Sequence, residues 1–222
     1  MLSDRVYNFT PAIVVAGVLA LAVAYPVVRS ARSKGVPAGL ALLHSWAWIG
    51  VLSVTVVPDT ASLNGMLDGT RPPSARSCYM GASPLDVLSV GEARLNTLLF
   101  VPLGLFTVMA YRRPLAAVVA GFLGSVTIEA AQLAINDGRQ CDLLDVYANT
   151  TGTVVGVALG CLLLLLLKRR PLPTTRRELL WAATGLILGG ILLGVFHSFT
   201  PELTPLASSP QEEKAGPTTM LR

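Results

Sequence analysis

The chain has 222 residues, 52% of them hydrophobic and only 14% charged, with a mean hydropathy of +0.60. An ordinary soluble domain carries about 25% charged residues, so the composition argues against both a disordered chain and a soluble enzyme. The net charge of +4 does not point to nucleic acid: the basic residues sit in short clusters between apolar runs, and aromatics make up only 6%. That is the pattern of topology signals, not of a binding face.

Six apolar runs stand out in chain order. The first covers 11–28 and is closed by Arg29. It also has the layout of a signal peptide, with Ala20-Leu21-Ala22 resembling a cleavage site. Cleavage there would invert the topology that the later basic turns specify, so the run is read as a span. The second, 36–57, ends at Pro58 and Asp59, and His44 inside it reads as a helix–helix contact. A long segment rich in Gly, Pro and Ser follows over 58–94, with a short helix expected from Pro84 to Glu92. The third run, 95–111, ends at Arg112 and Arg113. The fourth, 114–135, contains Ser125, Glu129 and Gln132. The fifth, 146–167, repeats glycine every four residues at Gly152, Gly156 and Gly160 and closes on Lys168, Arg169 and Arg170. The sixth, 179–196, carries Gly185 and Gly189. Residues 198–222, rich in Ser, Pro, Thr and Glu, are expected to be disordered.

About 20 apolar residues span a hydrocarbon core of about 30 Å, and only a helix satisfies its backbone within one such segment. The expected fold is therefore an all-α membrane protein, six transmembrane helices packed as a bundle with a long extracytoplasmic loop. The connections 29–36, 112–113 and 168–178 hold ten of the 17 basic residues. The positive-inside rule puts them in the cytoplasm. Both termini and the 58–94 and 136–145 loops then lie outside.

The polar residues of the spans gather at that outer edge. Glu129 and Gln132 share a helix face with Ser125. Glu129 is about 10 Å in from the helix end, at 1.5 Å per residue. The 136–145 loop packs Arg139, Asp142 and Asp145 together, Asn149 follows one turn later, and Asn96 comes just after Arg94. An ionisable residue at such depth is a functional-site candidate by default. The rival reading is structural: Asn96, Asp145 and Asn149 as caps and interhelix bonds, and Glu129 with Arg139 or Arg94 as a buried ion pair. The third and fifth helices begin at this edge, so their positive dipole ends face the site. With the two arginines they favour an anion such as phosphate. A divalent cation on Glu129, Asp142 and Asp145 is also compatible. Cys78 and Cys141 fall in the two outer loops, where a disulfide persists; two unpaired loop cysteines are the alternative. Cys161 is expected to stay a free thiol.

At these residues the chain resembles the VanZ-like family of bacterial membrane proteins. The motifs are Arg94-Leu95-Asn96 leading to Pro102-Leu103-Gly104, then Glu129 and Gln132, then Arg139, Asp142, Asp145, Asn149 and Gly152, ending at Gly156. Val54-Thr55-Val56-Val57-Pro58 also fits. The resemblance covers 45–167. It divides the chain into an N-terminal segment with the first span (1–44), a VanZ-like domain (45–167), a basic turn with the sixth span (168–197) and a tail (198–222). The family is named for a protein giving low-level teicoplanin resistance. It has been proposed to sit with membrane enzymes acting on lipid head groups. The resemblance thus implies a bacterial plasma-membrane protein of the cell envelope. Its site would bind, or also alter, a phosphorylated lipid or lipid-linked envelope precursor. Glu129, Asp142 and Asp145 would be the acid/base or metal-binding groups. Arg94 and Arg139 would hold phosphate, and Asn96, Gln132 and Asn149 would orient it. The alternative is a non-enzymatic membrane factor supporting envelope assembly or antibiotic tolerance. Oligomeric state stays open.

Overall fold

The computed structural model describes residues 10–58, 60–68, 77–88, 91–135 and 141–199. In chain order these form α1 (Thr10–Ser33), α2 (Ala38–Val56), α3 (Thr60–Leu67), β1 (Cys78–Tyr79), a 3-10 turn (Pro84–Leu88), α4 (Gly91–Tyr111), α5 (Pro114–Ile135), β2 (Cys141–Asp142), α6 (Leu143–Leu166) and α7 (Arg176–His197). All but α3 among these α-helices are long and apolar enough to cross a membrane. The all-α, six-span architecture is the one the chain adopts.

Several helices run past the apolar segments that mark them: α1 continues through Arg29 to Ser33, α6 begins at Leu143 and α7 at Arg176. The helix expected over 84–92 is a five-residue 3-10 turn, and α4 starts separately at Gly91. The Asp86 carboxylate accepts from the Ser83 N–H at 2.8 Å, a local bond that competes with a longer helix. The early start of α4 places Arg94 and Asn96 in its first turns. The tail from residue 200 onward lies outside the described residues.

The core pair is α4 and α6. A Cβ at Gly152 would overlap the Thr97 carbonyl oxygen, one at Gly156 that of Val101, and one at Gly104 that of Thr153. Only glycine lets the two backbones come this close, the usual device where apolar side chains gain little by leaving lipid. The α5 helix lies against both, and α7 leans on α5. At Gly185 an added Cβ would sit 2.9 Å from Val119 Cγ1 and 3.0 Å from Leu123 Cδ1. The α2 helix flanks α4 and reaches α5. Helix α1 packs on α2 at the periphery and leaves Val14, Val18 and Leu21 exposed, as suits a lipid-facing span.

The basic end is closed by short turns. Arg112 adopts a left-handed φ of 59° between α4 and α5, and Pro114 starts α5 where its missing N–H costs nothing. The Arg112 Nε donates to the Arg170 carbonyl at 2.9 Å, and its own carbonyl accepts from the Leu172 N–H at 2.7 Å. The turn after α6 is thereby tied to the turn after α4.

Candidate functional site

Alternating helix direction puts four helix ends together: the C-termini of α2 and α5 and the N-termini of α4 and α6. The polar residues of the spans lie at this end. Glu129 is buried on α5, 1% exposed. One of its carboxylate oxygens accepts from the Asp142 backbone N–H at 2.9 Å. Asp142 caps α6 by accepting from the Leu144 N–H at 2.8 Å. Asn96 Nδ2 on α4 donates to Asp145 Oδ1 on α6 at 2.7 Å. Gln132 Nε2 donates to the Thr55 carbonyl of α2 at 2.9 Å. Asn149 Nδ2 donates to Ser125 Oγ on α5 at 2.9 Å. The network thus joins four helices.

Two positions in it are incomplete. Glu129 Oε1 and one end of the Asn149 amide are buried without a hydrogen-bond partner among the described residues. An unpaired buried polar group costs about 1–3 kcal/mol, and native structures hold few of them.

The electrostatics are set by the start of α6. Its positive end meets three carboxylates, Glu129, Asp142 and Asp145, which it favours. Two of its N–H groups are already engaged by Glu129 and Asp142. Burial pushes the half-buried Asp142 carboxyl above its ordinary value, against the opposing bond from Leu144. Among the described residues, Glu129, Asp142 and Asp145 do not form a three-ligand group able to hold a metal ion.

The two arginines fare differently. Arg94 is exposed near the start of α4 and, among the described residues, makes no ion pair with Glu129. It stands at the rim, not in the buried network. Arg139 lies outside the described residues.

Two participants were not singled out by the spacing argument. Thr55 supplies the carbonyl for Gln132, and its hydroxyl donates back to the Val51 carbonyl at 2.8 Å. Thr153, buried, donates to the Asn149 carbonyl at 2.9 Å. Its four-residue offset from Asn149 is a legible signal, because a hydroxyl in an apolar helix reaches the carbonyl one turn back. Outside the network, His44 makes the helix–helix contact expected of it: its Nδ1 lies 2.9 Å from Thr107 Oγ1 on α4.

A covalent strap crosses this end. Cys78 and Cys141 form a disulfide, Cα–Cα 4.4 Å, across the parallel pair β1–β2. The Cys78 N–H donates to the Phe199 carbonyl at 2.9 Å. Phe196, Val126 and Val146 pack around the bridge. Val87 of the 3-10 turn packs with Ala93 and Ala148 over the starts of α4 and α6. The strap therefore holds Asp142 where its N–H meets Glu129.

Residues 11–168 match the VanZ/LLP1 family. The chain belongs to the VanZ/LLP1 family. The match takes in α1 through α6 and with them every residue of the polar network, while α7 follows its end. No curated protein and no solved structure matches this VanZ/LLP1 chain.

Proposed function

We propose that this VanZ/LLP1 protein sits in the bacterial plasma membrane with the polar network at the outer leaflet, and that the network receives the head group of a phosphorylated envelope lipid or lipid-linked precursor. The observation that carries this reading is Glu129: a carboxylate nine-tenths or more buried, with one oxygen bonded and the other without a partner among the described residues. A head group bearing hydroxyl, amide or ammonium donors would complete both Glu129 and Asn149. The exposed Arg94 at the rim suits the phosphate, since a guanidinium offers paired donors to it. Glu129 is then the group positioned to accept a proton from a bound hydroxyl, with Asp142 and Asp145 holding the start of α6 in place. The basic turns face the cytoplasm in this arrangement, and the 136–145 loop faces out.

The test is lipid analysis of the purified full-length protein. Wild type is expected to carry one more equivalent of phosphorylated lipid than Glu129→Gln and Asp145→Asn, which lose that equivalent while accumulating normally and keep any lipid bound elsewhere on the protein. A wild-type protein without that equivalent, or variants that keep it, would refute the reading.

A second reading has its own support. Asn96–Asp145, Gln132–Thr55 and Asn149–Ser125 each join two helices, as expected of a purely structural network in a non-enzymatic membrane factor. On that reading both variants accumulate less well, because each weakens a hydrogen bond to a charged group, worth about 1.5–3 kcal/mol.

A further inference from the structure

At the opposite end of the bundle, a cleft opens between α5 and α7. They touch where Gly185 and Gly189 meet Val119, Leu123 and Phe122. Toward the basic end the facing residues are Ala116, Ala120 and Ala182, too small to fill the gap. The result is a cleft of about 510 Å³. Its walls are apolar through Val119 and Leu123, and Trp181, 66% exposed, flanks it. Its mouth is basic. Arg113 and Arg177 line it beside Glu178, which is buried and paired with Arg113 at 2.9 Å. That pair fixes the Arg113 guanidinium at the mouth, and its five donors exceed what one carboxylate contact uses. Lys168, Arg169 and Arg170 lie on the adjoining connection and Arg176 opens α7, so the local field is positive.

We propose that this cleft binds one anionic phospholipid, with an acyl chain between α5 and α7 and its phosphate on Arg113 and Arg177. Two matches select this occupant. The cleft runs from Arg113 to Leu123, about 15 Å along a helix, which is half the hydrocarbon thickness of about 30 Å and so the reach of one chain within its leaflet. The apolar interior ends at a cationic rim, the order of parts in a phospholipid, and basic pockets between spans are where anionic head groups bind. The tryptophan at the rim suits the head-group level. The proposal is independent of the Glu129 site.

The test is native mass spectrometry of the full-length protein in detergent, titrated with phosphatidylglycerol and with phosphatidylcholine of the same acyl chains. Phosphatidylglycerol is expected to bind more tightly. At about 1 kcal/mol per basic residue, Arg177→Gln weakens it about fivefold, and the double variant with Arg113→Gln about thirtyfold. Because Arg113→Gln also frees Glu178, a second variant leaves the charges alone: Ala120→Trp fills the exposed cleft and is expected to abolish the preferential adduct. Equal binding of the two lipids would overturn the proposal. So would an unaffected Ala120→Trp variant, or displacement of phosphatidylglycerol by an equal concentration of inorganic phosphate. Loss of a wild-type dimer in Ala120→Trp would assign the cleft to a second copy of the chain and overturn it too.

Discussion

Replacing Gly156 by alanine tests whether the α4–α6 seam is as close as the structure has it. A Cβ there overlaps the Val101 carbonyl oxygen and comes within 2.8 Å of the Leu105 nitrogen and 2.9 Å of the Val101 carbonyl carbon. Each obstacle is backbone, so no rotamer change relieves the overlap and the helices must separate. Over-packing costs about 1–3 kcal/mol, and a backbone obstacle puts this case near about 3 kcal/mol. Alanine returns about 1 kcal/mol of helix propensity over glycine. The net is a destabilisation of about 2 kcal/mol. Gly190 on α7 is the internal control, since a Cβ there meets nothing within 4 Å; Gly190→Ala should stabilise by about 1 kcal/mol. Reversible unfolding in mixed detergent, followed by circular dichroism, reads both. The two variants should move in opposite directions, about 3 kcal/mol apart. A Gly156→Ala protein as stable as Gly190→Ala would show that α4 and α6 are not in backbone contact, and the placement of Asn96 against Asp145 would fall with it.

Three further outcomes are expected. Mass spectrometry with an alkylating agent and no reductant should find Cys78 and Cys141 unmodified; the bridge closes a span of 63 residues, and removing it with Cys78→Ser plus Cys141→Ser should cost up to about 4 kcal/mol by chain entropy. Reporter fusions after Arg113 and Lys168 should read cytoplasmic, and a fusion at Gly138 should read outside; the reverse pattern would invert the assignment of the Glu129 site to the outer leaflet. The third concerns pH. Because the Asp142 carboxyl is raised in the folded state, the folded protein holds its proton more tightly than the unfolded chain. Its contribution to stability is thus fully present below the ordinary aspartate value and is lost as pH rises toward the folded one. Asp142→Asn should flatten the part of the stability–pH curve that lies above the ordinary aspartate value, and an unchanged slope would locate the proton elsewhere.

The membrane class and the six spans were legible in the sequence because both depend on local composition: a run of apolar residues must be helical in lipid whatever its neighbours do. The shared face of Ser125, Glu129 and Gln132 was legible for the same reason, as a consequence of 3.6-residue periodicity. The glycines at 152, 156 and 160 announced close packing but not a partner, since helix pairing depends on the complementary surface. Only the tertiary structure made that partner α4, through the carbonyls of Thr97 and Val101. It also decided what Glu129 meets. Charge pointed to Arg94 or Arg139; the start of α6 offers a backbone N–H on Asp142, Arg94 stays exposed at the rim, and Arg139 lies outside the described residues. The α5–α7 cleft was out of reach of any sequence pattern. It lies where alanines 116, 120 and 182 line the space between two helices that touch at Gly185 and Gly189, and which faces two helices turn to each other is a property of the pair, which neither helix encodes by itself.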